Sequence, residues 1–340
     1  MGGRNPTRAD PGFYNFLALD RAALDGPEPT AGLSAALMSS DPVTGARTTI
    51  VEILPGWRRA EQAQDASVEL FVLRGDLSLD GKAVGASGYI HLPQLCGGGE
   101  LSSQAGALAL AFWNPNLPAF PYPYTRNRTL KAWAEPWVDS VPGSHGVRHK
   151  SLRLPDPVPQ PGAEGMDGGP GGYLRFQYIE PGIIAPDEHV HHKCFEEIIL
   201  LAGDCFLLNE GQMGLGSVVV HPQEWYHAPF VSRSGALILV HTDAPMGFPW
   251  PPRPYPGGRE LAEAYLDLAP WDAPTSHAPW DEHPLAAVQE ADPEWQDWRR
   301  SGDGQNRWGD ANRGDRVPHI PGGRGTASRF RASWHRGETR

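Results

Sequence analysis

Between His189 and Asp204 the chain reads HVHHKCFEEIILLAGD, which sets three histidines and two glutamates against a run of aliphatics. Imidazole nitrogens and carboxylate oxygens at this density are the donors used by transition metals and by general acid–base chemistry. Alternate residues of a strand share a face, so His189 and His191 are expected to point one way and His192 the other. Glu196 opens the next strand and Gly203 closes it, which gives G-x6-H-x-H-x4-E-x6-G from Gly182. A second piece, GSVVVHPQEWYH from Gly216, places His227 after a turn set by Pro222. Donors in two separated segments need a scaffold that brings the segments together.

That scaffold is written twice. TTIVEILPGW (Thr48 to Trp57) is echoed by LRFQYIEPGI (Leu174 to Ile183), and ELFVLRGDLSL (Glu69 to Leu79) by EIILLAGDCFLL (Glu197 to Leu208). GASGYIHLP, GALALAFWNPNLPAFPYP and AEPW then recur in the same order as GLGSVVVHP, GALILVHTDAPMGFPWPP and LAPW. Self-similarity in a constant order marks a duplicated structural unit. Within each unit, short runs of β-branched and aromatic residues alternate with Gly, Pro, Asp and Asn, the pattern of strands and turns in a sandwich or small barrel. LRGDLSLDG and LAGDCFLL read as hairpins turning at Gly75-Asp76 and Gly203-Asp204. GRELAEAYLDL (Gly258 to Leu268) is the one fair helical stretch, expected as a short connector.

The boundaries that follow are an N-terminal arm over 1–31, a first barrel over 32–145, a second over 146–272 and a tail over 273–340. Asp156 to Gly172 reads as a Pro/Gly-rich excursion near the start of the second unit. The tail lacks periodicity and aliphatics and is expected to be largely disordered, although its tryptophans (Trp280, Trp295, Trp298, Trp308, Trp334) are odd for a solvated segment. The 340 residues carry a formal charge of -11, with 40 glycines and 35 prolines. Such an acidic balance argues against nucleic acid or an anionic membrane as partner. The longest apolar runs are strand-sized, and Cys96, Cys194 and Cys205 form no CxxC pair, so free thiols in the cytoplasm are expected.

The two His/Glu pieces resemble the signature motifs of the cupin superfamily, G-x5-H-x-H-x3,4-E-x6-G and G-x5-P-x-G-x2-H. The resemblance spans both repeats, about Leu33 to Trp271, and implies an all-β bicupin: two tandem double-stranded β-helix, or jelly-roll, barrels. DPVTGARTTIVEILPGW also looks like the opening of cupins of the anti-sigma-factor type. Carried over position by position, the motifs imply His189, His191, Glu196 and His227 as metal ligands. One extra residue separates Gly182 from His189, and Glu224 stands where the second motif has glycine; neither departure removes a ligand.

Three imidazoles and a carboxylate suit Fe, Mn, Ni, Cu or Zn and leave one or two coordination positions for substrate, water or O2. A structural zinc site would be closed and usually rich in thiolate. Glu197 is expected to face away from Glu196, in an outer or surface role, and His221 to be structural. His241, Trp225, Tyr226 and Phe206 are candidates for a substrate pocket, with plain barrel core as their alternative. Aligned on the hairpin glycines, Glu61, Ala63 and Val68 fall opposite His189, His191 and Glu196, so the first barrel is expected to be metal-free and to serve as a packing partner. The leading functional expectation is an Fe(II) dioxygenase acting on a small enolic, phenolic or diketone-like molecule, with Glu196 as ligand and base. A non-redox isomerase, cyclase or lyase using Zn, Mn or Ni is one alternative, and a metal-dependent sensor or binding protein without turnover is another. A homodimer paired through edge strands is open at this stage.

Overall fold

The structure is a computed structural model that describes residues 7–23, 31–61, 65–94, 99–115, 127–139, 147–153, 172–179, 182–185, 187–190, 194–208, 210–227, 230–233, 235–243 and 253–266, with the backbone alone at 139, 185, 187–190, 227, 253 and 254. The tail, most of the 156–172 excursion, Ala63, Cys96, His191 and His192 lie outside the described residues.

The chain forms two compact units, the first running to Glu135 and the second from Pro136. Val138–Asp139 pairs with Val147–Ser151 at the start of the second unit. In the N-terminal segment, expected as an arm, Ala22–Ala23 joins the first unit's sheet by pairing with Leu33–Ser40.

The repeat seen in the sequence is a repeat of topology. In the first unit, the strands Gly88–Leu92, Ser67–Gly75, Ala107–Asn114, Arg47–Ile53 and Leu33–Ser40 lie side by side in that order. In the second unit, Ser217–His221, Glu196–Gly203, Ala236–Thr242, Leu174–Ile179 and Val147–Ser151 occupy the same places. A smaller four-stranded sheet accompanies each: Arg58–Arg59, Leu101–Ser102, Leu77–Leu79 and Lys82–Val84 in the first, and Ile183–Ala185, Phe230–Ser232, Cys205–Leu207 and Gly211–Met213 in the second. These pairings are antiparallel, which lets one face of each sheet close on a shared apolar core. Val68, Leu70, Val72, Leu77, Leu79 and Leu92 fill the first core; Leu200, Leu207, Met213, Val219, Ile238 and Val240 fill the second.

The expected hairpins at Gly75-Asp76 and Gly203-Asp204 are corners instead. Ser67–Gly75 belongs to the large sheet and Leu77–Leu79 to the small one, and the chain passes between sheets at Gly75. A side chain at Gly75 (φ 81°) or Gly203 (φ 77°) would strike the carbonyl oxygen of Gly106 or Gly235 on the crossing strand. Only glycine allows that approach. The true hairpins come one strand later. In the first unit the turn is Asp80-Gly81, with φ of 51° and 75°, as a tight two-residue turn requires.

The helix forms over Gly258–Leu266, within the stretch expected. It is more than a connector: Ala262, Tyr265 and Leu266 pack on Ile184 and Val231 of the small sheet. Tyr265 stacks on Phe206 with centroids 4.6 Å apart and donates to Asp204 Oδ2 at 2.9 Å. No helix among the described residues is long and apolar enough to cross a membrane.

Candidate metal centre

Strand register decides which side chains look into the second barrel. Ile198 lies opposite Val219 on one neighbouring strand and Val240 on the other, all three at the apolar core. Glu196, two residues before Ile198, therefore shares that inner face, opposite His221 and Thr242. Glu196 is 4% exposed, and its Oε2 lies 3.1 Å from His221 Nδ1. The same ring's Nε2 lies 3.1 and 3.0 Å from the two oxygens of Glu210, and Trp225 Nε1 donates to Glu210 Oε1 at 3.4 Å. With Glu196 and Glu210 both ionised, their oxygens only accept, so both ring nitrogens donate and the imidazole carries the positive charge. Burial opposes that charge, but the two hydrogen bonds and the two negative neighbours outweigh it and raise the His221 pKa to about 9.

The backbone brings two of the remaining expected ligand positions together. The Asp187–Val190 strand pairs with Tyr226–His227 so that His189 is directly opposite His227. Such positions lie roughly 4.5–5.5 Å apart from Cα to Cα. The approach to His227 is a turn in which Trp225 N donates to the Pro222 carbonyl at 3.2 Å. Glu224, standing where the motif has glycine, takes φ 60° there. A positive φ at the third position is characteristic of type II and I′ turns, where glycine is favoured, so Glu224 takes a backbone conformation that glycine would adopt readily. Among the described residues no three His, Cys, Asp or Glu side chains are grouped to hold a metal ion; His191 and the side chains of His189 and His227 lie outside them. The donor set of three imidazoles and one carboxylate fits a divalent ion at a site with Glu196 on the inner face.

Four expectations need correction. Glu197 is not a surface residue: it is fully buried on the opposite strand face, where its Oε2 lies 3.0 Å from His241 Nδ1. His241 therefore lies on that face and does not line the cavity with Glu196. Phe206 points out of the barrel, because Cys205 and Leu207 take the inner face and Phe206 stacks on Tyr265. His221, expected as merely structural, touches Glu196 directly. Of the other pocket candidates, Trp225 is half-buried and joined to the cluster through Glu210, while Tyr226 is exposed. Cys194, left out of the ligand set, is a buried free thiol. Burial and the charges of Glu196 and Asp243 hold its pKa far above the ordinary thiol range.

Glu210 and Arg175 escaped the sequence reading. Arg175 lies opposite Val240, hence on the inner face, and its guanidinium sits 4.3 Å over the Tyr173 ring. Tyr173 N in turn donates to Thr242 Oγ1 at 2.9 Å, at the Glu196 end of the sheet. Alternation pointed the other way, since Leu174, Phe176 and Tyr178 are the apolar set of that strand, yet that face is buried as well.

In the first unit the residues at the places of Glu196, His221 and Thr242 are Val68, Leu92 and Trp113, all apolar and all at the core. The polar cluster is thus a property of one barrel.

Solved structures with a similar arrangement include a Nostoc punctiforme protein assigned as a dioxygenase, at 18% identity and a TM-score of 0.56, covering 70% of this chain and 83% of that one. The fold is that of two cupin barrels in tandem. Among further similar structures are the E. coli protein Ylba, at 13% identity and a TM-score of 0.49 over 71% of this chain and 94% of that one, and a Bacillus subtilis oxalate decarboxylase, at 12% and 0.44 over 76% and 84%. No protein-family model matches the sequence. No curated protein matches it either. At 18% identity the likeness to the Nostoc punctiforme protein speaks for the fold alone, and the chemistry has to be argued from the second barrel's own residues.

Proposed function

We propose that the second cupin barrel is the centre of a metal-dependent enzyme, an Fe(II) dioxygenase acting on a small enolic, phenolic or diketone-like substrate. His189, His191, Glu196 and His227 would hold the ion. A bound divalent ion supplies a Lewis-acidic centre with positions left for ligands, and iron among such ions supplies the one-electron steps that O2 chemistry needs. The observation that carries the reading is the buried Glu196 carboxylate on the inner face of this barrel, where the first barrel has Val68.

The chain's own residues support the chemistry in three ways. Glu196 offers a carboxylate oxygen as base for an enol or phenol O–H, with the proton-rich His221 beside it. Arg175, on the same inner face, is a fixed cation suited to the anionic oxygen that remains. Ile198, Val219 and Val240 make the adjoining wall apolar, which strengthens electrostatic contacts there. Incubation of anaerobically iron-reconstituted protein with a panel of diketones, flavonols and catechols should produce O2 uptake with at least one of them. Absence of uptake across the panel contradicts the dioxygenase reading.

The carboxylate–imidazolium–carboxylate arrangement also favours a second reading, proton-transfer chemistry by an isomerase, cyclase or lyase. Turnover by zinc-loaded protein in the absence of O2 would select it.

A further inference from the structure

Glu210 stands on a turn that differs between the repeats. Between Leu207 and Gly211 the second unit runs Leu208 to Glu210, where the first unit, between Leu79 and Lys82, has only Asp80 and Gly81. This longer turn carries the carboxylate that meets His221 Nε2, with oxygens at 3.1 and 3.0 Å. His221 Nδ1 meets Glu196 at 3.1 Å, so the buried ring is fixed at both ends. Trp225 Nε1, at 3.4 Å, steadies Glu210 in turn.

The fold does not require any of this. At the same register the first unit sets Val68 opposite Leu92 inside an apolar core. Replacing such a pair with buried charged groups is commonly neutral or unfavourable for stability, so a role outside folding is the simpler account of its presence.

We propose that Glu210 and His221 are positioning residues for the metal site: Glu210 fixes the His221 ring, and the ring sets the orientation in which the Glu196 carboxylate meets a metal ion. The affinity of the second barrel for metal then depends on a turn residue outside the ligand set. The inference rests on the reading of Glu196 as a ligand.

The test is titration of metal-stripped full-length protein with Co(II), followed by visible absorption and chelator competition, with folding monitored by circular dichroism. Glu210→Ala and His221→Ala should each weaken Co(II) binding by about 10–100-fold. The double variant should be no weaker than His221→Ala alone, because Glu210 acts through that ring. Glu197→Gln alters another buried carboxylate, on the opposite strand face, and should bind Co(II) as the natural chain does. Unchanged affinity in a Glu210→Ala protein whose circular dichroism matches that of the natural chain overturns the inference; so do additive losses in the double variant. Glu196→Ala separates the two levels. Loss of Co(II) there with unchanged affinity in Glu210→Ala sinks the inference alone, whereas unchanged affinity in Glu196→Ala sinks the ligand reading and the inference with it.

Discussion

Glu196 and Glu197 are neighbours in the chain and opposites in the fold, one turned to His221 inside the barrel and the other to His241 on the far face. Strand parity made that much legible in advance. It also yields a prediction for the histidine run, read by alternation in the sequence: His191→Ala should abolish metal binding, while His192→Ala, outside the proposed ligand set, should retain most of it, with at most a 10–100-fold outer influence. Equal losses, measured by elemental analysis and Co(II) titration, would contradict the parity. Glu210 was not legible, because its contact with His221 depends on a hairpin turn folding back, and no periodicity encodes that. A different residue-scale prediction concerns Cys205, a buried free thiol. Burial, then the charges of Asp204 and Glu210, raise its pKa far above the ordinary thiol range. An ordinary thiol is mostly thiolate by pH 9, since its pKa lies near 8.5. The native Cys205 should stay unalkylated by iodoacetamide at that pH and react promptly in denaturant. Fast native modification, located by mass spectrometry, would contradict the burial.

The turn Pro222–Trp225 shows how an element can keep its shape while its sequence departs from a motif. Glu224 is exposed and takes φ 60°, a conformation that costs an L residue roughly 1–2 kcal/mol. Glycine would relieve that strain and lose more chain entropy on folding, by about 0.5–1 kcal/mol. Glu224→Gly should therefore raise stability by roughly 0.5–1 kcal/mol in urea unfolding, with metal content unchanged. A destabilised variant would contradict the strain. The strands with β-branched and aromatic residues, such as Ser67–Gly75 and Ala107–Asn114, were readable from composition. The Leu33–Ser40 strand, LSAALMSS, was not, because alanine and serine carry little strand signal. The corners at Gly75 and Gly203 passed for hairpins for a related reason: Gly-Asp between two apolar runs signals a turn without saying whether the runs pair.

At the scale of the whole molecule, duplication is what made the fold readable. Each unit repeats the same two sheet orders, and ordered echoes in the sequence show this even though individual strands are ambiguous. The difference between the units at this register was legible for the same reason, since Val68 and Leu92 align with Glu196 and His221. The pocket was less legible, because both faces of the large sheet in the second unit are buried and alternation alone does not separate lumen from exterior, as Arg175, Phe206 and His241 show. The central claim is a single metal centre in the second barrel. Elemental analysis of the purified full-length protein measures it most directly. One equivalent of metal per chain is expected, retained in Glu61→Ala and Glu69→Ala and lost in Glu196→Ala. Two equivalents per chain, or a Glu196→Ala protein that keeps its metal, would contradict it.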